Sequence, residues 1–590
     1  MAIIPWGTSR PVLPRRLAFG VAATVLWMGS AQAMLTVGPP SDTACQYHDI
    51  AAAVQAAGAA GGPEVIAISG GTWAAQTTIV DHDSDGLTIE GGFANCSAGV
   101  STGRTTLDGQ GASPAGPLIV HSGSGPLNLR HLILQNAQGG IQSVAAGPLT
   151  LSDVLVYFNH SDHGGGLFVS GNDIFRMQLT LIGSSINSNT ASVNGGGMYL
   201  SKVDVSISGG SSIVGNLASG PTSDGGGIYA IDSNIVIHDH SVPPFAFMGS
   251  NIAQRNGGGV YFSVVQGGSY HLLMSPDGPT QPLLVADNAA QNQGGAFHFS
   301  AASSGQQIFS FGSFVDVQME QNDATEGAAI YAYSSGTGAS VATQIQVMRN
   351  TVPGGTNPPC AAYRECSTID GNHAFGGGII DVHGGGDAGG AGVYLQHARM
   401  RHNRGGALIS GSGDVSISGS LLAANEIDHG GDLVSVISGD LRIASSTIAY
   451  NTLAGSQLFT VALPPASLAI LHSLLVQPND PVDAYLVGAG VPVTLRDIGA
   501  NSVTGFDSGT NIQFLTDPFV DPANDDFHIA ITSSAVDRWA DSGDPGDPPP
   551  THDLDGATRP YVFNSTTTPY DFGAYEAGAV VELIFADGFD

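Results

Sequence analysis

A short unit recurs along this chain, and it limits the fold more than any other feature: an asparagine, a few polar residues, a glycine cluster, then an aliphatic or aromatic residue. Residues 189–199 read NTASVNGGGMY, 216–229 NLASGPTSDGGGIY and 251–261 NIAQRNGGGVY. Further copies start at Asn159, Asn288, Asn322, Asn403 and Asn425. Short runs such as Leu179-Thr180-Leu181-Ile182 and Val205-Ser206-Ile207 precede the asparagines. They are too short for helices and rich in β-branched residues, so each unit reads as strand, turn, glycine corner, strand.

The asparagines fall 30, 27 and 35 residues apart from Asn159 to Asn251, and 22 and 26 apart from Asn403 to Asn451. Such spacings suit one coil of a single-stranded, right-handed parallel β-helix, with loops in the longer coils. Stacked coils align like residues at about 4.8 Å. An inward asparagine can bond its own image in the next coil and tolerates left-handed backbone angles, so it is expected to mark corners. The 83 glycines recur at these corners among apolar runs, which argues against disorder.

Open solenoid ends expose strand edges and need lids. DIAAAVQAA (residues 49–57) starts with a capping residue and predicts a helical N-terminal cap. DPGDPPP (544–550) is a proline break that no helix or central strand can cross. The expected order is a signal peptide at 1–33, the N-terminal cap and first coils at 34–97, β-helix repeats at 98–515, an irregular closing region at 516–578 and a tail at 579–590.

The leader carries Arg10, Arg15 and Arg16 before an apolar run and the small-residue site Ala31-Gln32-Ala33. No later segment has the apolar length of a membrane helix. The chain has 17 basic and 49 acidic residues, and loss of the leader's three arginines takes the formal charge from −32 to −35. That charge excludes nucleic acid as an expected partner and disfavours polyanions unless Ca²⁺ bridges the two. Cys45, Cys96, Cys360 and Cys366 form an even set in an oxidising compartment. Three connectivities exist; the shortness of the step between Cys360 and Cys366 favours pairing those two and Cys45 with Cys96.

The opening segments, CQYHDIAAAVQAA from Cys45, GLTIEGGFANCS to Ser97 and TTLDGQG from Thr105, resemble the first coils of secreted bacterial right-handed β-helix proteins. Phe158-Asn159 with Gly164-Gly165, and Gly294-Gly295-Ala296, are similar to polymorphic outer-membrane protein repeats, although Phe158 abuts its asparagine. The strongest resemblance is C-terminal: DPFVDPANDDFHIAITSSAVD (517–537), DLDGATRP (553–560) and DFGAYE (571–576). This ordered set resembles the closing region of choice-of-anchor Q proteins, with Ser534 where proline is usual and Phe572 where isoleucine is. The final VELIFADGFD resembles short endings on exported proteins, with Asp590 in place of glutamate. These resemblances imply a fold and a secreted or cell-envelope setting, not a reaction.

Catalysis on a β-helix has to be judged by its site. A lyase needs carboxylates holding Ca²⁺ and a basic group for the proton; an inverting hydrolase needs two carboxylates roughly 6.5–9.5 Å apart. The candidates are Asp381 and His383 with Asp387, and Asp428 and His429 with Asp432, all beside glycine corners. DHGG occurs at both Asp162 and Asp428, which suggests a repeated corner. DHDSD (81–85) and His238-Asp239-His240 hold metal-ligand types without a known metal spacing. No resident cofactor is expected beyond optional calcium. The leading expectation is a secreted or surface β-helix with a binding, adhesin-like or structural role, its partner an extracellular glycan or surface protein; the rival is a polysaccharide lyase or glycoside hydrolase.

Overall fold

The computed structural model describes residues 34–578 apart from 75–77, 112–115, 242–245, 277–282, 338–340, 350–366, 386–389, 429, 455–456, 479–481, 506–510, 514–515, 542–548 and 561–568. The expected leader at 1–33, Cys360, Cys366, Asp387, His429 and residues 579–590 therefore lie outside the described residues.

The short apolar runs stack into a parallel β-helix. In one coil, Met177–Ile182, Ser185–Asn187, Thr190–Asn194 and Met198–Ser201 form four successive sides. Each side pairs in parallel with the same side of the next coil; on side one, Leu179 meets Val205 and Leu181 meets Ile207, followed by Ile235 and Ile237. Alternate residues point inward, so the column of aliphatic side chains is continuous and fully buried. Burying each such side chain stabilises the stack by about 1.5–3 kcal/mol. Sides one and four merge through the unbroken strand Ala407–Ser418 into a 30-stranded sheet, while sides two and three give sheets of 16 and 10 strands.

The corner between sides two and three holds the asparagines. From Asn159 to Asn425, each backbone N–H donates to the Oδ1 of the asparagine one coil on, the last acceptor being Asn451, at 2.9–3.2 Å. The Nδ2 groups also donate back to carbonyls of the preceding coil, as Asn189 does to Val156 at 2.9 Å. The left-handed angle falls on the residue before each asparagine, for example Ser188 (φ 52°), Ser250 (φ 53°) and His402 (φ 50°). The asparagine thus serves through its side chain, and its neighbour makes the bend. Asn372 is a rung absent from the sequence reading; it sits 50 residues after Asn322, an interval swollen by the chain between Val341–Met348 and Thr368–Asp370. Serines do a similar job between sides one and two: Ser420 and Ser446 receive the N–H groups of Ala398 and Ser420.

Helix α1 (Ile50–Ala60), the one α-helix among the described residues, covers the first coils with Ile50, Ala53, Val54 and Ala57. Its start is fixed by Asp49, whose side chain accepts from the Ala52 N–H at 2.8 Å. Cys45 and Cys96 are disulfide-bonded, tying the cap to an early coil.

The irregular C-terminal region folds back along the outside of side two. Phe519, Phe527, Trp539, Leu554 and Phe572 pack on Leu421, Ala423, Ala449, Leu474 and Val476. Side two anticipates this cover: Ser185–Asn187 buries only its central residue, whereas Leu421–Ala423, Thr447–Ala449 and Leu474–Val476 are buried throughout. The segments that resemble the choice-of-anchor set build one polar knot. Arg559 pairs with Glu576 at 2.7 Å, both fully buried, and donates to the carbonyls of Gly573 and Asp571. Asp571 accepts from the N–H groups of Asp537 and Ala577, and Asp553 from those of Ala557 and Glu576.

Candidate functional site

The corner between sides three and four carries two parallel rows of side chains. Aromatic residues follow the glycine clusters and stack outside side four: Phe168, Tyr199, Tyr229, Tyr261, His298 and Tyr331, with successive centroids 5.0, 5.1, 5.1, 4.6 and 5.0 Å apart. Burial raises the phenol pKa values of Tyr199, Tyr229, Tyr261 and Tyr331 and pushes His298 down to about 3. Beside the rings runs a polar row, with Asn256, Gln293 and Glu326 bridged in parallel register. Gly294 and Gly327 separate the rows at φ 70° and 62°, where a Cβ would run into the Phe297 and Ile330 carbonyls.

Along the polar row, on the side away from the rings, lies an open groove of 280 Å³ lined by Asn256, Asn292, Gln293, Thr325 and Glu326. Its lining is amide, hydroxyl and carboxylate. Gln293 donates to Glu326 at 2.9 Å and is hydrogen-bonded with Tyr331. Arg255, from the Asn256 coil, is engaged by Asp224 at 2.9 Å.

At the far end of the ring column the register sets Asp381 opposite Tyr331. Asp381 is nearly buried and accepts from the Ser410 hydroxyl at 2.9 Å, and His383 Nε2 lies 3.0 Å from it. The bond to Asp381 raises the His383 pKa against the opposing effect of burial. Glu326, Asp381 and His383 each bring one donor atom within 4.8 Å of the others. Sequence reasoning found Asp381 and His383 but not Glu326, which comes from the previous coil and looks like one more polar residue before a glycine.

One nitrogen and two carboxylates differ from the all-oxygen shell that calcium selects, and they suit a zinc-type ion better. The two carboxylates approach closer than the roughly 6.5–9.5 Å that leaves room for an inverting enzyme's water. Asp381 Oδ1 serves both Ser410 and His383 and so orients the imidazole.

The other sequence candidates are engaged structurally. Asp428 pairs with Arg404 at 3.3 Å, and Asp432 accepts from the Thr460 hydroxyl at 2.5 Å. Asp81 is buried against His121 at 2.7 Å, while its other oxygen and that of Asp83 cap the N–H groups of Asp83 and Asp85. Asp239, fully buried between His238 and His240, accepts from the N–H groups of Gly210 and Ser211 and holds a turn. Asp162 accepts from Ser192, and the neighbouring His163 packs on Tyr199.

No protein-family model matches the chain, and no curated protein matches it either.

Proposed function

We propose that this protein is exported and works at or outside the cell surface as a β-helix that binds a neutral glycan. The observation that carries this reading is the groove at Asn256, Asn292, Gln293, Thr325 and Glu326, whose amides and hydroxyl can donate to and accept from sugar hydroxyls. Its one charged lining residue is acidic, in a chain of formal charge −32, which disfavours acidic sugars. The leader sequence, the Cys45–Cys96 bond and the choice-of-anchor resemblance support the extracellular setting.

The rival reading, a lyase or hydrolase, draws on the convergence of Glu326, Asp381 and His383. It is weaker because Asp381 Oδ1 already serves Ser410 and His383, and the carboxylates stand closer than an inverting enzyme's water requires. The test incubates the purified protein with neutral glucans, xylans, pectins and alginates, with and without Ca²⁺ or Zn²⁺. Retention on a neutral glycan without product release is the expected result. Product release that disappears in Glu326→Gln or Asp381→Asn would establish the enzyme instead.

A further inference from the structure

The hydrogen-bonding row beside the groove repeats once per coil. Asn194, Asp224, Asn256, Gln293 and Glu326 occupy it: Asn194 Oδ1 receives the Asp224 N–H at 2.9 Å, and Asp224 Oδ1 the Asn256 N–H at 3.1 Å; Asp224 is buried, so the half-buried Asn256, Gln293 and Glu326 are the consecutive rungs open to a ligand. The ring column beside it fixes the period at 4.6–5.1 Å. A ligand that meets one rung after another must therefore be linear, with its own repeat close to this spacing.

The same column says how that ligand is held. Each interior ring is sandwiched, with interplanar angles of 3–18°, so ring faces are consumed inside the stack and only edges and hydroxyls remain. Stacking of sugars on open aromatic faces is thereby excluded along the column. Recognition has to run through hydroxyl groups presented at regular intervals. Charge narrows the choice further: Asp224 is neutralised by Arg255, while Glu326 and Asp381 repel uronates.

Resting on the neutral-glycan reading, we infer that the ligand is an extended β-1,4-linked neutral polysaccharide lying parallel to the solenoid axis, about one sugar per coil. Such a chain is nearly straight and rises by close to one coil spacing per sugar. An α-1,4-linked chain of the same sugar curls away from a straight row after one or two contacts.

The test is calorimetric titration of the full chain with β-1,4-linked gluco-oligosaccharides of two to six sugars, the matching α-1,4 series, and oligogalacturonates. Affinity for the β-series should rise by roughly tenfold or more from dimer to pentamer, about two hydrogen bonds' worth. The α-series and the uronates should bind far more weakly. A variant combining Asn256→Ala and Gln293→Ala should lose the length dependence while keeping the wild-type circular dichroism spectrum. Equal binding of both series, or β-binding that ignores length, would overturn the axial alignment and leave the glycan reading standing. Failure of every neutral glycan, polymers included, would overturn both.

Discussion

Asp381 stands in its coil where Tyr331 stands in the coil before, and the column of stacked rings ends at that exchange. The vacated ring position is approached by His383, whose centroid lies 5.4 Å from that of Tyr331 and whose Nε2 is held by the Asp381 carboxylate. An electrostatic pair thus takes over from a stacking contact.

Asp381→Asn should lower the His383 pKa, since the charge-assisted bond to Asp381 is the largest cause of its rise. Because the folded pKa lies above the unfolded value, the pair's stabilisation is complete below about pH 6.5 and fades as pH rises through the folded pKa. Titration of the His383 ring resonances in wild type and variant measures this; an unchanged pKa would contradict the pairing.

Asn288→Ala removes a fully buried rung. It leaves the Asn251 N–H without its acceptor and breaks the side-chain bonds to Asn322 and to the Met248 carbonyl. A loss of about 2–4 kcal/mol is expected from stranding buried polar groups. Asn292→Ala, exposed in the same coil, should cost under about 0.5 kcal/mol. Denaturant melts of the two variants give the comparison.

Reducing Cys45–Cys96, or replacing both by serine, releases a loop with sequence separation 51, for which chain entropy gives up to about 4 kcal/mol. The loss should be local, so hydrogen exchange should quicken first in α1 and in Glu64–Ser69 while the later coils stay protected.

His528 lies 2.5 Å from both Asp526 and Asp555, and these bonds, Asp555 first, lift its pKa to about 9. Its folded pKa exceeds the unfolded value, so the stabilisation is full below about pH 6.5 and disappears as pH rises through about 9. Asp555 also pairs with Arg399 on the solenoid, which places this switch at the seam. Alkaline limited proteolysis should cut the closing region before the coils, and His528→Ala should show that sensitivity already at neutral pH. Cleavage that ignores pH in the wild type would refute it.

The repeat was legible because stacking imposes one grammar on every coil: an acceptor side chain at the asparagine corner, no Cβ at the glycine. Asn372 escaped notice because the interval from Asn322 is 50 residues, although NHAFGGG has the same form as its siblings. The bonding of each asparagine to its image in the next coil follows from the repeat, whereas the left-handed angle falls one residue earlier than asparagine's tolerance of that region suggests. Where the closing region would dock was written in side two, in the change from Ser185-Ile186-Asn187 to Leu421-Leu422-Ala423, yet all-apolar strands read equally well as deep core. Glu326 could not be paired with His383 from spacing alone, because loop length varies freely between coils and only the register joins them.

The fold-back of the closing region changes how the solenoid yields to force. In a plain stack each coil holds only its neighbours, and a pull on the N-terminus would peel coils singly. Here Leu554 accepts from Arg349, Asp555 binds Arg399, His402 reaches Asp525, Phe527 packs by Tyr450, and Trp539 stacks 3.7 Å from His472. One segment therefore splints successive coils across the C-terminal half. Under tension the unbraced half should give way in small steps, and the braced half should hold and then rupture as a single block.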